Sequence, residues 1–502
     1  MGVRDYTLYD FLRHNAAYAG VEPAVIDNQG TTTYRQLLER VDRLSAGLAR
    51  RGISKGDRIC ILAQNSAAYL ELYGACAKTG AVAYPLNWRL TSQEIREVIN
   101  LADPKVLAVG AGQASQLQDS DLHSVEICAR IGPGSMEGFI PLEDLYLPSP
   151  AGDFEVGSQD PFVIISTAAV AGVPRGAVLT HANLALGGYL LANTLGLRSQ
   201  DRNLAALPLY HITGLGLALS MFQVGGANII LEKFDPVEAV QLMDAHNVTL
   251  MADFPPVLSL LLEARAAVGA RWEKLRCVVG LDAPDVIQRL YRETNARFWV
   301  GYGQSETCGG VTLARAEEKP GSAGKPLPLV RLRCVDEAGQ AVPVGEVGEI
   351  VIQGPLVFSG YWRDPDATQY TLRDGWHHTG DLGKLDEDGY VYFAGRKPEK
   401  DLIKTGGENV YSAEVEHVIQ GLPGVAAVCV IGVPDQQWGE AVKAVIQMVP
   451  GESLTEEQVR TAVTERIASY KKPRHVLFVD RLPVTAGGEI DRAAVKAAYG
   501  SG

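Results

Sequence analysis

The sequence predicts an α/β protein. A large N-terminal body of helix-covered, mostly parallel sheets is followed by a small β element and then a small α+β C-terminal domain. Three observations carry this reading. Up to about residue 300, short β-rich runs alternate with amphipathic helical patterns, the order that builds parallel sheets. After about residue 325 the texture changes to hairpin-like strands around a tight turn. Beyond Arg396 roughly a hundred residues of mixed α/β pattern remain, long enough for a small domain. The full length of 502 residues also exceeds what one small core organises.

The elements follow in order. Arg58 to Leu62 reads as a buried strand and Ser66 to Lys78 as the helix after it. Thr91-Ser-Gln-Glu94 is a capping box opening another helix, because the threonine and glutamate can each satisfy a free N–H of the first turn. Phe162–Ser166, Asn228–Leu231, Val248–Ala252, Arg276–Val279 and Phe298–Val300 are further strands. Val330–Val335 and Glu349–Gln353 flank the turn Asp336-Glu-Ala-Gly339 and read as hairpin strands. No internal repeat is visible.

Bulk properties exclude several classes. With 46% hydrophobic and 21% charged residues, the composition is that of an ordinary soluble globular protein. The net charge of −13 argues against a protein that grips a nucleic-acid backbone, which needs clustered Lys and Arg. Seven scattered cysteines without a Cys-x-x-Cys pair suggest free thiols in a reducing compartment rather than disulfides or zinc. No signal-peptide core is seen at the start, and no membrane span is expected. The expected location is cytoplasmic.

Four segments carry the chemistry. Phe162 to Asn183 is a strand followed by a turn containing Thr167, Gly172, Pro174, Arg175 and Gly176. Gly301-Tyr302-Gly-Gln-Ser305-Glu306 follows a strand, so its polar groups emerge at a strand's C-terminal end, where α/β folds place ligands. Trp376-His-His-Thr-Gly-Asp381 lies further on. Gly395 to Glu416, GRKPEKDLIKTGGENVYSAEVE, combines an arginine, a charged cluster and a Gly-Gly turn. Together, in this order and over almost the whole chain, these segments closely resemble the adenylate-forming superfamily. That group includes acyl-CoA synthetases, adenylation domains of nonribosomal peptide synthetases and luciferases.

The resemblance implies an N-terminal domain over residues 1–396 that binds nucleotide and acyl group, and a mobile C-terminal lid over 397–502. It implies ATP, Mg²⁺ and coenzyme A as cofactors or co-substrates and a small carboxylic acid as substrate, with a homodimer as the expected assembly, if any. Thr167 and Gly172 would line the phosphate loop, with Arg175 its remaining cation. Asp282, Ala283 and Pro284 would wrap the adenine, on which Tyr302 would stack. Ser305 would touch phosphate, and Glu306 would hold Mg²⁺, a hard cation that suits a carboxylate. Asp381, whose two oxygens match a cis-diol, would accept the ribose hydroxyls beside Arg396. His211, in Leu207-Pro-Leu-Tyr-His211-Ile-Thr-Gly214, would orient the substrate carboxylate. His377 and His378 have no ligand spacing and read as structural or surface groups. Asp401 would be the hinge, and Gly406-Gly407 would line the thiol tunnel. Lys404 and Asn409 would lie near carboxylate and phosphate. Arg175, His211, Glu306 and Lys404 are thus the candidate catalytic residues.

Three departures stand out. The hydroxyl-rich phosphate loop of the family has become Ala168-Ala169-Val170-Ala171, with arginine in place of lysine. Two extra residues, including Pro398, lie between Arg396 and Lys400. Leu482-Pro-Val-Thr-Ala-Gly-Gly-Glu489 carries glutamate where the family pattern has a charge-neutralising lysine. The leading expectation is an AMP-forming acyl-CoA synthetase. A catalytically weak nucleotide- or acyl-binding homologue, and an adenylating enzyme that loads a carrier protein or an amine, stay open. The apolar, Gly-rich stretch 214–226 favours medium-chain, alicyclic or aromatic acids over acetate.

Overall fold

The computed structural model describes residues 4–117, 125–148, 152–170, 173–397, 402–485 and 489–500, with side chains 168–174 outside the description. Two large sheets organise the N-terminal body. In the first, the order is 360–361, 173–180, 161–170, 82–85, 58–62, 106–110, 127–131, 140–141. Its strands from Pro161–Val170 to Ile140–Pro141 run parallel, with Val173–Thr180 antiparallel at one side. Arg58–Leu62 and Val106–Gly110 are near-continuous apolar runs buried on both faces, as strands under helices on both sides must be. The helix Ala67–Thr79 starts where Ser66 Oγ accepts the Tyr69 N–H and stops at the left-handed Gly80. The capping box at Thr91 is present: Thr91 donates its N–H to Glu94 Oε2 at 2.8 Å.

The second sheet has the order 325–326, 312–315, 297–300, 277–280, 250–253, 202–205, 227–230, 23–27, 30–33. Its six strands from Arg297–Val300 to Pro23–Asp27 are parallel. Their carboxyl ends deliver Asp253, Gly280 and Val300 to one rim, and the loops that follow hold Phe254, Asp282 and Tyr302. This rim is where a doubly wound sheet offers a ligand crevice.

A third, antiparallel sheet contains Arg331–Val335, Gly348–Gln353, Trp376–Leu385 and Val391–Arg396. The first two pair as the sequence suggests, and Asp381 lies opposite Arg396. The C-terminal sheet is separate: Glu408–Tyr411, Leu402–Thr405, Gly439–Met448 and Val425–Asp435 in order, with His475–Val479 parallel to Gly439–Met448. Its own core is built on Ile403, Val410, Val415, Val430, Val442, Ile446 and Val459. Among the described residues no helix is long and apolar enough to cross a membrane.

One buried cation joins this C-terminal unit to the body. Lys471 Nζ lies 2.6 Å from Glu94 Oε1, on the N-terminal helix Ser92–Ala102, and 2.9 Å from Glu414 Oε2, on its own side. Burial alone pushes the Glu414 carboxyl up, and Lys471 pulls it back. Removing the ammonium leaves two buried carboxylates facing each other. Lys471→Ala is therefore expected to cost about 3–5 kcal/mol, read as a fall in the urea midpoint of unfolding; Glu94→Gln, which leaves the Glu414 pair, should cost clearly less.

Candidate active site

At the rim of the second sheet the polar groups interlock. The Tyr302 hydroxyl donates to Asp381 Oδ2 at 2.7 Å, and Gln304 Nε2 donates to the same oxygen at 2.6 Å. Gln304 also reaches the Thr379 carbonyl, and its Oε1 faces His377 Nε2 at 3.1 Å. Arg396 stands behind, its Nε 3.8 Å from Asp381 Oδ1 and its Nη1 donating to the Leu402 carbonyl. The structure thus brings Tyr302, Asp381 and Arg396 together as the sequence expects. His377 supports Gln304, and His378 lies 3.1 Å from Glu349, so both histidines are structural.

Ser305, Glu306 and Arg175 lie next to this cluster. Ser305 and Glu306 open the 3-10 turn Ser305–Thr307. Glu306 Oε1 accepts the Tyr361 hydroxyl at 2.8 Å. Arg175 lies over the Tyr361 ring, 5.4 Å from its centroid, and its Nε donates to Asp364 Oδ2 at 3.0 Å. Thr167 Oγ1 donates to the Arg175 carbonyl. Asp282, Ala283 and Pro284 form the entrance to the helix Pro284–Glu293. Gly172 and Asp401 lie outside the described residues.

The hairpin Leu402–Thr405/Glu408–Tyr411 enters between these parts. Its register, Ile403↔Val410 and Thr405↔Glu408, puts these four residues on one face. Lys404, Asn409, Leu402 and Tyr411 share the other. The turn is made by Gly406 and Gly407, at φ +57° and +81°, a region that favours glycine. At Gly406 space demands it as well, since a Cβ there would come within 2.6 Å of the Trp438 ring, whereas one on Gly407 would only touch Phe254 at 3.4 Å.

Glu408 is the centre of this contact. Buried at 4% exposure, it meets four residues of the N-terminal body. Arg89 Nη1 lies 2.6 Å from Oε1, His211 Nε2 3.2 Å and the Tyr210 hydroxyl 3.2 Å, while Asn87 Nδ2 donates to Oε2 at 3.2 Å. Burial pushes its carboxyl up, but His211 and Arg89 outweigh this and hold it down at about 2. A depressed carboxyl contributes stability at pH above its unfolded value of about 4.3, and loses it as pH falls through about 2. At neutral pH this contact is therefore fully formed.

His211, expected to meet a substrate carboxylate, here meets a protein carboxylate. A second carboxylate brought to this pocket would be disfavoured by the charge of Glu408. Lys404 is exposed, and its backbone N–H donates to Glu440. On its face Tyr411 is acted on by the charges of Glu306, Arg175 and Asp381. Glu489 is exposed in a bend beside the isolated bridge Val484–Ile490, its carbonyl accepting the Thr485 N–H.

Sequence reasoning missed Glu408, Gln304, Tyr361 and Asp364. For Glu408 a signal existed: it alternates with Val410, so in an extended segment a carboxylate would share a face with an apolar residue. Nothing local marks the site contacts of the other three, which reach His377 73 residues away, Glu306 55 away and Arg175 189 away. Glu408→Gln keeps the shape but removes the charge facing Arg89 and His211. It is expected to slow any step that needs the hairpin docked by about tenfold or more, roughly 1.4 kcal/mol, and to leave steps that use a free carboxylate at His211 within about twofold. Single-turnover measurement of each step checks this.

Comparison with known proteins agrees with this geometry. Residues 12–362 match the profile of the AMP-binding enzyme family, and residues 414–489 that of the AMP-binding enzyme C-terminal domain. The chain is 37% identical to feruloyl-CoA synthase from Amycolatopsis sp over 478 residues, covering 93% of this chain and 94% of that one. It is 35% identical to indoleacetate–CoA ligase of Aromatoleum aromaticum, covering 95% and 96%. The solved structure of a double mutant of o-succinylbenzoate CoA synthetase from Bacillus subtilis, bound with a product analogue, superposes with a TM-score of 0.85 at 28% identity, covering 98% and 99%. A two-sheet body with strand-end polar groups, and a C-terminal unit whose hairpin reaches into it, are accordingly the parts of one enzyme architecture: the chain belongs to the AMP-binding, adenylate-forming enzyme family.

Proposed function

We propose that the protein is an AMP-forming carboxylate–CoA ligase for an apolar, aromatic-type acid. In the first step a carboxylate oxygen attacks the α-phosphate of ATP, releasing pyrophosphate and leaving an acyl adenylate. In the second the CoA thiol attacks the acyl carbon, and AMP leaves with the electron pair of the broken C–O bond. A free carboxylate resists nucleophiles, whereas its mixed anhydride with phosphate carries a good leaving group.

The observation that carries this reading is Glu408 seated on Arg89 and His211. A pocket that takes a substrate carboxylate in the first step has no carboxylate to hold once the adenylate exists. Glu408 can then replace it, bringing Gly406 and Gly407 against Phe254 and Pro255, where a narrow thiol arm needs room free of side chains. Tyr302, Asp381 and Arg396 suit a ribose and purine. Ser305, Thr167 and Arg175 suit phosphates, and Ala283 and Pro284 the adenine edge. Glu306 fits Mg²⁺: one oxygen accepts Tyr361, and Mg²⁺ is usually held by one or two carboxylates with phosphate oxygens. When bound, the ion would neutralise phosphate charge. The division at 396/397, with Asp401 as the hinge, belongs to the same reading. The aromatic class of acid is supported by the acids named for the relatives and by the apolar helix Ile212–Val224 that starts at His211.

The test mixes protein, Mg·ATP and a panel of aryl, alicyclic and fatty acids. Pyrophosphate release, followed by a thioester mass on adding CoA, is the expected result. Pyrophosphate without thioester would move the acceptor to a carrier protein or an amine, and no pyrophosphate with any acid would leave a binding protein. Within this reading Glu489→Lys should speed acyl-AMP formation, because one well-placed donor at a phosphate is worth about 10²–10³ in rate at most. It should leave the reaction of preformed acyl-AMP with CoA within about twofold, since Glu489 is exposed in the docked arrangement. Rapid-quench assays of the two half-reactions separate these effects.

A further inference from the structure

Two aspartates beneath the rim do not take part in the contacts above. Asp253 ends the strand Leu250–Asp253 and is fully buried. Its neighbour strand ends at Gly280, in register with it, and Asp282 follows two residues later. Asp253 Oδ1 accepts the Leu258 N–H at 2.9 Å, in the first turn of the helix Val257–Val268. Asp282 Oδ1 accepts the Ala283 N–H at 2.7 Å, at the entrance to the helix Pro284–Glu293. Each thus has one oxygen satisfied by backbone.

The other oxygen of each is buried and meets no N–H or O–H donor among the described residues, and the two carboxyl groups lie at or just after strand ends that are in register. Ionised carboxylates only accept, so two such groups can bond to each other only when one of them carries a proton. The remaining charge acting on the pair is Asp285, on the first turn of the second helix, and it is negative. Among the described residues neither aspartate is ion-paired with a lysine, arginine or histidine. Burial, and for Asp253 the neighbouring Asp282, pushes both carboxyls up from their ordinary range.

We propose that Asp253 and Asp282 hold one proton between them, and that this proton ties the 281–284 turn to the strand end and so positions the adenine of the nucleotide. The pair is a positioning device, not a catalytic one. It rests on the placement of the adenine at 282–284 made above. The sign follows from the raised carboxyls. The tie is complete at low pH and is lost as pH rises through the raised value, when both groups ionise and repel. An asparagine at either position supplies an N–H donor that does not titrate, and so makes the tie independent of pH.

The experiment measures AMP affinity by calorimetry from about pH 5 to about pH 9 for the wild type, Asp253→Asn and Asp282→Asn. The ligand's own phosphate titrates alike in all three. Wild-type affinity is expected to fall by about threefold to tenfold more than that of the variants over the upper part of this range, one proton permitting at most about tenfold per pH unit. Infrared difference spectra of the wild type give a second readout that no variant's misfolding can spoil. A protonated-carboxyl band should be present near about pH 7 and decay in step with the affinity. Absence of that band overturns the shared proton. A band that titrates while wild-type affinity stays parallel to the variants overturns the positioning role and the placement of adenine at 282–284. Failure of the ligase reading would register separately, as no pyrophosphate with any acid, because AMP binding is read here without turnover.

Discussion

A carboxylate buried between two parts of a protein must find a cation or hydrogen-bond donors there, and Glu408 finds the Arg89 guanidinium with His211 and Tyr210 beside it. Much of the C-terminal unit's geometry is subordinate to that need. Glu408 sits at the turn end of the hairpin, on the face it shares with Ile403 and Val410 of the unit's own core, and it reaches the body from there. The turn just before it favours Gly-Gly, because both residues take positive φ and the approach of Gly406 to Trp438 leaves no room for a Cβ. Lys471, between Glu94 and Glu414, secures the same arrangement at a second point. A buried ion pair is weak as a source of stability but strong as a specifier of geometry, since a misplaced charge without its partner is strongly disfavoured. Two such contacts define one orientation of the unit.

The same logic explains the rim. Tyr302, in the loop after a strand of the second sheet, and Gln304, in the short two-stranded ribbon that follows, both bond one oxygen of Asp381 in the third sheet. Tyr361 and Glu306 connect the first sheet's edge to the second sheet's loop. Each bond spans elements far apart in sequence, so the site exists only when all three sheets are assembled. Because hydroxyl and amide donors already face Asp381, a diol that replaced them would exchange one set of hydrogen bonds for another. Such exchange costs little and favours a pre-formed site.

Much of this was legible in the chain. The parallel sheets followed from alternating apolar runs and helices, and the capping box at Thr91 from four residues. The order of motifs placed Tyr302, Asp381 and Arg396 in one site, and they do meet. What local patterns do not encode is pairing across sheets. Asp364 reads as an ordinary helix cap, and caps the helix Pro365–Thr371, but its other oxygen also holds Arg175. Asp253 reads as the polar end of a strand, and only the fold sets Asp282 against it. Glu408 was hidden differently. In a string of turn-forming residues a glutamate reads as solvated, and only the strand alternation after the glycines contradicts that.

The departures from the family pattern share one physical theme, the handling of phosphate charge. On the function proposed, the alanines that stand in place of the family's hydroxyl residues would still offer backbone N–H groups, which alone can cradle an anion, but the hydroxyls are gone. Glu489 adds negative charge where the pattern has a lysine. Against this, Arg175 is held on two sides, by Asp364 at its Nε and by the Tyr361 ring. A guanidinium has donors on several edges, so a partner at Nε fixes its plane while leaving other N–H groups to face an anion. A lysine at this position could not be braced in that way without losing its only charged centre to the brace. The arginine and Asp364 therefore make sense as a pair. A cation fixed in the N-terminal body needs no movement of the C-terminal unit to reach its place. On the function proposed, charge neutralisation in the first step then rests on the body and its metal, and the C-terminal unit is left to serve chiefly the second step, through Glu408 and the Gly-Gly turn.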